Sequence, residues 1–246
     1  MSKPLVFLHG WAQSRQIWFQ QFDPFADALF LNLPGHGTAS NQAAPPNSAA
    51  WLTHIHAQLP TQPSVLVGWS LGGMLALQLA KQFPQSIAAL ALVSSTPCFR
   101  QRHDWPPGCD DSVFAAFEQA VSSQSPRLLN RFFSLMLQGD HVSRSDYNHL
   151  AKSAIDRAHP TTSLALQQGL ELLASLDARQ QVQDLHIPSL LLHGQEDVIV
   201  SPESSQWLAA NMPTNQQQLF QGCGHAPFLT QPERFNTILK DWWTSL

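Results

Sequence analysis

A mostly parallel α/β sheet is the fold class this sequence predicts, and two observations carry that reading. Short apolar runs, most of them unbroken, recur and end in glycine or turn residues: 5–8 into His9-Gly10, 29–33 into Pro34-Gly35, 65–67 into Gly68, 87–93 into Ser94-Ser95. Helical spacing fills the stretches between them. Unbroken runs suit strands buried on both faces of a parallel sheet, whereas half-exposed strands alternate. Strand following helix in strict order then gives a doubly wound sheet.

Each element has its own signal. Asn47 can cap a helix reaching Leu59, and apolar spacing over 71–83 stops at Pro84. The rhythm breaks after Phe99 and resumes at Ser189-Leu190-Leu191-Leu192, which runs into His193-Gly194. A helix over about 202–211 follows, then a strand over 217–220, then a closing helix containing Trp242-Trp243. The interval 100–187 is too long for a structureless loop and contains helix signals of its own. Ser125-Pro126 sets a cap residue ahead of proline and the apolar run Leu128, Leu129, Phe132, Phe133, Met136. Ser143 with Asp146 resembles a capping box, and Thr161-Thr162 opens a run to Leu173. The expected organisation is therefore a core of 1–99 and 188–246, with 100–187 inserted as a helical cap.

Composition narrows the function. The 246 residues include 13 Lys+Arg and 17 Asp+Glu, a formal net charge of -4, so charged residues make up 12% of the chain, about half the ~25% usual for soluble domains. A charge-poor, mildly acidic chain lacks the basic face that nucleic-acid binding needs. Cys98, Cys109 and Cys223 stand far apart with no C-x-x-C, which supports neither a disulfide framework nor a zinc site. No apolar run approaches the ~18 residues of a membrane span. Residues 1–4 lead straight into the first strand, so no leader peptide is read there and the cytoplasm is expected. No metal, no cofactor and a monomer are expected.

The chemistry centres on Gly68-Trp69-Ser70-Leu71-Gly72, a G-x-S-x-G placed directly after a strand and before a helix. A nucleophile on so sharp a turn needs small residues two before and two after it. An acid and a histidine should then follow in that order. His193-Gly194-Gln195-Glu196-Asp197 follows one strand and Gly222-Cys223-Gly224-His225 follows the next, giving Ser70, Asp197 and His225. Glu196 is the rival acid, but its neighbour fits the H-G-x-x-D spacing. His9 and His193 stand at strand ends, where they satisfy backbone groups or line the site, while His54 and His56 read as solvated on a surface helix. Oxyanion donors are expected from the backbone N–H groups of Leu71 and Trp11. Trp11, Trp69, Leu71, Phe132 and Phe133 are the expected walls of an apolar substrate slot.

Leu8-His9-Gly10-Trp11, Leu33-Pro34-Gly35-His36-Gly37, the G-x-S-x-G turn, Gly194-Gln195-Glu196-Asp197 and Gly224-His225 together resemble the α/β-hydrolase superfamily over almost the whole chain. Asn32 stands where many members have Asp. The usual N-terminal hairpin is missing, so about six strands are expected rather than eight. A narrower resemblance rests on Ser94-Ser95-Thr96-Pro97-Cys98-Phe99 with Trp105-Pro106, on Gly169-Leu170-Glu171-Leu172-Leu173, on Asp177-Ala178-Arg179 and on His225-Ala226-Pro227-Phe228. Those stretches resemble the pimeloyl-acyl-carrier-protein methyl ester esterases of biotin synthesis. That resemblance implies a serine carboxylesterase that removes a methyl group from a dicarboxylate chain held on acyl carrier protein. A broad short-chain carboxylesterase, an acyl thioesterase and a non-catalytic binding module are the alternatives.

Local charge bears on the partner. Residues 119–139 contain Arg127 and Arg131 and no acid, and two arginines four apart share a helix face. Arg144, Lys152 and Arg157 follow. Arg127, Arg131 and Arg144 are the expected docking residues for an acidic carrier or its phosphopantetheine phosphate. Arg stems that cover apolar surface are the plainer reading.

Overall fold

The computed structural model describes residues 3–42, 45–123 and 128–246. Among these, six strands form one sheet: β1 (Leu5–Leu8), β2 (Leu29–Leu31), β3 (Ser64–Trp69), β4 (Ile87–Val93), β5 (Ser189–Gly194) and β6 (Asn215–Phe220). Their order is β2-β1-β3-β4-β5-β6 and every pairing is parallel. β1, β3 and β5 are buried at every residue, as their unbroken apolar sequences require. β6 pairs on one side only and its burial alternates, so polar Asn215 and Gln216 can extend it before the apolar end is reached. The strand therefore begins two residues earlier than its apolar content alone suggests.

Helices cover the sheet. α1 (Ser48–His56) is capped by Asn47, whose Oδ1 accepts from Ala50 N at 3.0 Å, and it unwinds into a turn before Leu59. His54 and His56 are half-buried rather than solvated; the His56 ring stacks on Phe83 at 3.9 Å and its Nε2 meets Ser86 Oγ at 2.9 Å. α2 (Leu71–Gln82) follows β3 without a linker beyond Ser70.

Between β4 and β5 the chain forms α3 (Asp111–Ser122), α4 (Leu128–Met136), α5 (Arg144–Ala154) and α6 (Ser163–Ser175). Asp110, Ser143 and Thr162 cap α3, α5 and α6 through side-chain oxygens. The Ser125-Pro126 start signal and Arg127 lie outside the described residues. This helical segment sits over the ends of the strands: Trp11 Nε1 donates to Leu166 O at 2.9 Å, and Thr162 N donates to Gly35 O at 3.0 Å. After β5 come α7 (Pro202–Asn211), then β6, α8 (Pro227–Thr230) and α9 (Pro232–Thr244).

Strand order reverses direction at β1, which lies between β2 and β3. In doubly wound sheets such a reversal opens a crevice at the carboxyl ends of the strands, because successive helices leave on opposite faces. The loops after β1 and β3, with Trp11 and Ser70, flank that crevice.

Candidate active site

Ser70 has φ 54° and ψ -119°, a conformation that a side-chain-bearing residue adopts only under constraint. Packing supplies that constraint. A Cβ on Gly68 would stand 2.5 Å from Gly72 O, and one on Gly72 would stand 2.4 Å from Leu8 O, so both must be glycine for the turn to close. Ser95 Oγ donates to Ser70 O at 2.9 Å and fixes the turn from β4. Ala12 and Ser94 also have positive φ, so the three non-glycine residues of this kind among those described all follow β1, β3 or β4 at the crevice.

Asp197 and His225 meet below this turn. His225 Nδ1 stands 2.7 Å from Asp197 Oδ2. Asp197 Oδ1 accepts from Ile199 N at 2.9 Å and Val200 N at 3.0 Å, which fixes the carboxylate in its loop. His193 Nε2 lies 3.1 Å from Asp197 Oδ2 and 3.0 Å from Val200 O. Both neighbours are acceptors, so that nitrogen carries the proton. Burial pushes the Asp197 carboxyl up, but the His225 charge and the hydrogen bonds from His193 and His225 outweigh it and hold the pKa well below the usual carboxylate range. Glu196, by contrast, points out and is exposed.

His225 is fully buried and held on both backbone groups: its N–H donates to Met136 O at 2.9 Å, and its C=O accepts from Trp69 Nε1 at 2.8 Å. Its Nε2 has no hydrogen-bond partner among the described residues, and Ser70 Oγ makes no bond to it. Such links are often loose before substrate binds and tighten in the complex. His9 is used structurally, with Nδ1 against Gly10 O at 2.8 Å and Nε2 accepting from Leu33 N at 3.0 Å.

Neither the Trp11 N–H nor the Leu71 N–H finds an acceptor among the described residues. Both are therefore free to donate to a bound group. The Trp11 ring packs edge-on against Phe132 at 5.0 Å and Phe117 at 6.0 Å. An apolar groove of about 360 Å³ continues from these rings along Val113, Ala116, Leu128 and Leu135, with exposed Arg131 at its side. Two expected wall residues sit elsewhere. The Trp69 indole is enclosed by Trp18, Phe228 and His225, and Phe133 packs inward on Tyr147 at 5.7 Å. Phe117 was not singled out by sequence, although its three-residue spacing from Phe114 on α3 offered a signal.

Arg144 lies exposed at the start of α5, and neither it nor Arg131 forms an ion pair among the described residues. A larger cavity, about 630 Å³, lies by Lys81, Trp105, Arg179 and Trp207, and none of Ser70, Asp197 and His225 lines it. Among the described residues no group of His, Cys, Asp and Glu is arranged to hold a metal ion. No helix among them is long and apolar enough to cross a membrane.

The family model described as the alpha/beta hydrolase fold matches residues 3–232. The chain belongs to this family. Within it, this hydrolase is 38% identical over 235 residues to the pimeloyl-[acyl-carrier protein] methyl ester esterase of Nitrosomonas europaea, covering 94% of this chain and 92% of that one. It is 35% identical to the esterase of the same name from Aromatoleum aromaticum, covering 98% of each. An esterase from Exiguobacterium antarcticum superposes with a TM-score of 0.83 at 21% identity, over 99% of this chain and 93% of that one. MenH from S. aureus superposes with a TM-score of 0.80 at 20% identity, over 99% and 94%. At those identities the structural likeness speaks for the fold of the hydrolase alone.

Proposed function

We propose that this carboxylic ester hydrolase cleaves the methyl ester of pimeloyl-acyl carrier protein, releasing methanol and pimeloyl-acyl carrier protein in biotin synthesis. Kinship over nearly the full chain to esterases of that name is the observation that carries the substrate. The buried Asp197–His225 pair beneath a strained Ser70 supports the chemistry.

In this reading His225 Nε2 takes the Ser70 hydroxyl proton as Oγ attacks the ester carbonyl, and Asp197 holds the ring and stabilises its cation. The Trp11 and Leu71 N–H groups receive the oxyanion, a contribution of about 10²–10³ in rate for each such donor. Collapse of the tetrahedral adduct expels methoxide, which His225 protonates to methanol. Water, deprotonated by His225, then hydrolyses the acyl-Ser70 ester and leaves a carboxylate. A carboxylate is costly to bury unpaired, so the apolar walls at Trp11 and Phe132 favour the neutral ester and help expel product. An acidic carrier docks at the exposed Arg131 and Arg144, with Arg127 part of the same proposal from sequence.

The test is to incubate the protein with methyl pimeloyl-acyl carrier protein and weigh the carrier. Loss of one methylene from an intact acyl-carrier supports the proposal. Release of the free carrier thiol makes the protein a thioesterase instead.

A further inference from the structure

The turn that ends α4 is seated between the two loops that carry the acid and the base. A Cβ on Gly139 would stand 2.4 Å from Glu196 Cβ, beside Asp197. A Cβ on Gly224, beside His225, would stand 2.5 Å from Gln138 O and 2.8 Å from Asp140 Oδ2. The polar contacts follow the same line. His225 N donates to Met136 O at 2.9 Å, Gly224 N donates to Asp140 Oδ2 at 2.8 Å, and Thr230 Oγ1 donates to Asp140 Oδ1. One carboxylate thus spans the residue before His225 and the end of the short helix after it, α8. Asp140 belongs to the helical segment, 84 residues from Gly224 in sequence.

The helix that ends in this turn also carries Phe132, whose ring meets Trp11 beside the oxyanion donors. We infer that Asp140 is a positioning residue: it locks the His225 loop to the α4 turn, so that the imidazole faces Ser70 only while α4 is seated over the slot. The physical reason is that, beside the backbone bonds from His225 N to Met136 O and from Glu196 N to Cys223 O, Asp140 supplies the only side-chain tie, among the described residues, from the α4 turn to the loop of His225. Its ring is held by Asp197 and its carbonyl by Trp69, but the chain entering it, Gly222-Cys223-Gly224, contains two glycines and no regular structure. Charge-assisted bonds to a backbone N–H and a hydroxyl are the strong kind, and a small rotation of His225 costs disproportionately in proton transfer. The seating of the helix over the slot and the aim of the base become one event.

This inference rests on the reading of Ser70, Asp197 and His225 as a triad, and its experiment separates the two. Turnover of 4-nitrophenyl acetate is measured for the parent, Asp140→Ala, Asp140→Asn, Thr230→Val and Ser70→Ala. Active sites are counted by exhaustive phosphonylation with a fluorophosphonate. The expected result is a fall in kcat per titrated site of about tenfold or more for Asp140→Ala, with KM within about twofold and slower phosphonylation to the same end-point. Asp140→Asn, which keeps one acceptor for Gly224, recovers most of that loss. Thr230→Val, which frees one carboxylate oxygen while keeping side-chain shape, lowers kcat about threefold even if the alanine variant does not fold. Fewer titrated sites with unchanged kcat per site in Asp140→Ala, or an unchanged kcat in Thr230→Val, overturns the inference. Full activity in Ser70→Ala overturns the triad reading itself.

Discussion

Two histidines near the crevice show what burial does to a side chain that the chemistry does not use. Burial lowers the His36 pKa from its ordinary value of 6.5 to about 4, against hydrogen bonds to Pro34 and Leu33 that raise it. Burial, and then the neighbouring His36, push His9 well below the ordinary value too. Between pH 6.5 and 4 the unfolded chain therefore binds protons that the folded chain refuses, so stability must fall as pH falls through that window. His36 alone accounts for about 3 kcal/mol at the acid end. Urea midpoints measured from pH 7 to pH 4 should decline, and His36→Asn, which keeps a donor near Pro34 O, should flatten the decline. A pH-independent midpoint would count against buried neutral rings. At this scale the sequence was most informative where chemistry and backbone coincide. Ser70, Asp197 and His225 stood out because each follows an apolar run at a glycine-marked turn. Asp140 did not, because its partners lie 84 and 90 residues away and no local pattern announces them.

At the scale of elements, the helical segment is tied at both of its stems. Cys98 bridges Asp177, Ala178 N donates to Pro97 O at 2.7 Å, and Trp105 Nε1 donates to Cys98 O at 2.8 Å. Arg179 closes the clasp, 2.8 Å from Asp177 Oδ2 and 3.0 Å from Asp104 Oδ2. Burial pushes the Asp177 carboxyl up, but Arg179 beside it brings the net pKa below the ordinary value. A forked guanidinium that joins two acids is not replaceable by an apolar chain. Arg179→Met should cost about 1 kcal/mol, seen as a Tm fall of about 2–4 °C, while kcat on a small ester stays within about twofold. An unchanged Tm would mean the clasp is ornamental. Sequence located four of the six strands well, because buried strands are written as unbroken apolar runs. It overran the third residue of β2, Leu31, and began β6 late, because those two are the sheet's edges, where alternation and polar residues dilute the signal.

Across the whole molecule, a net charge of -4 coexists with exposed Arg131 and Arg144 on the helical segment, neither of them ion-paired among the described residues. Converting both to glutamate should slow turnover of a carrier-linked ester about tenfold or more and leave a small ester untouched, with the effect shrinking as salt rises. Equal loss on both substrates would place these residues in the fold rather than in docking. The central claim joins the site to the substrate: Ser70 Oγ is the atom that takes the acyl group from the methyl ester of a carrier-borne chain. Methanol release from methyl pimeloyl-acyl carrier protein, measured for the parent and for Ser70→Ala, tests it most directly. The account predicts steady methanol release by the parent and a loss of at least about 10³-fold in the variant. Methanol released by Ser70→Ala at the parental rate would contradict it.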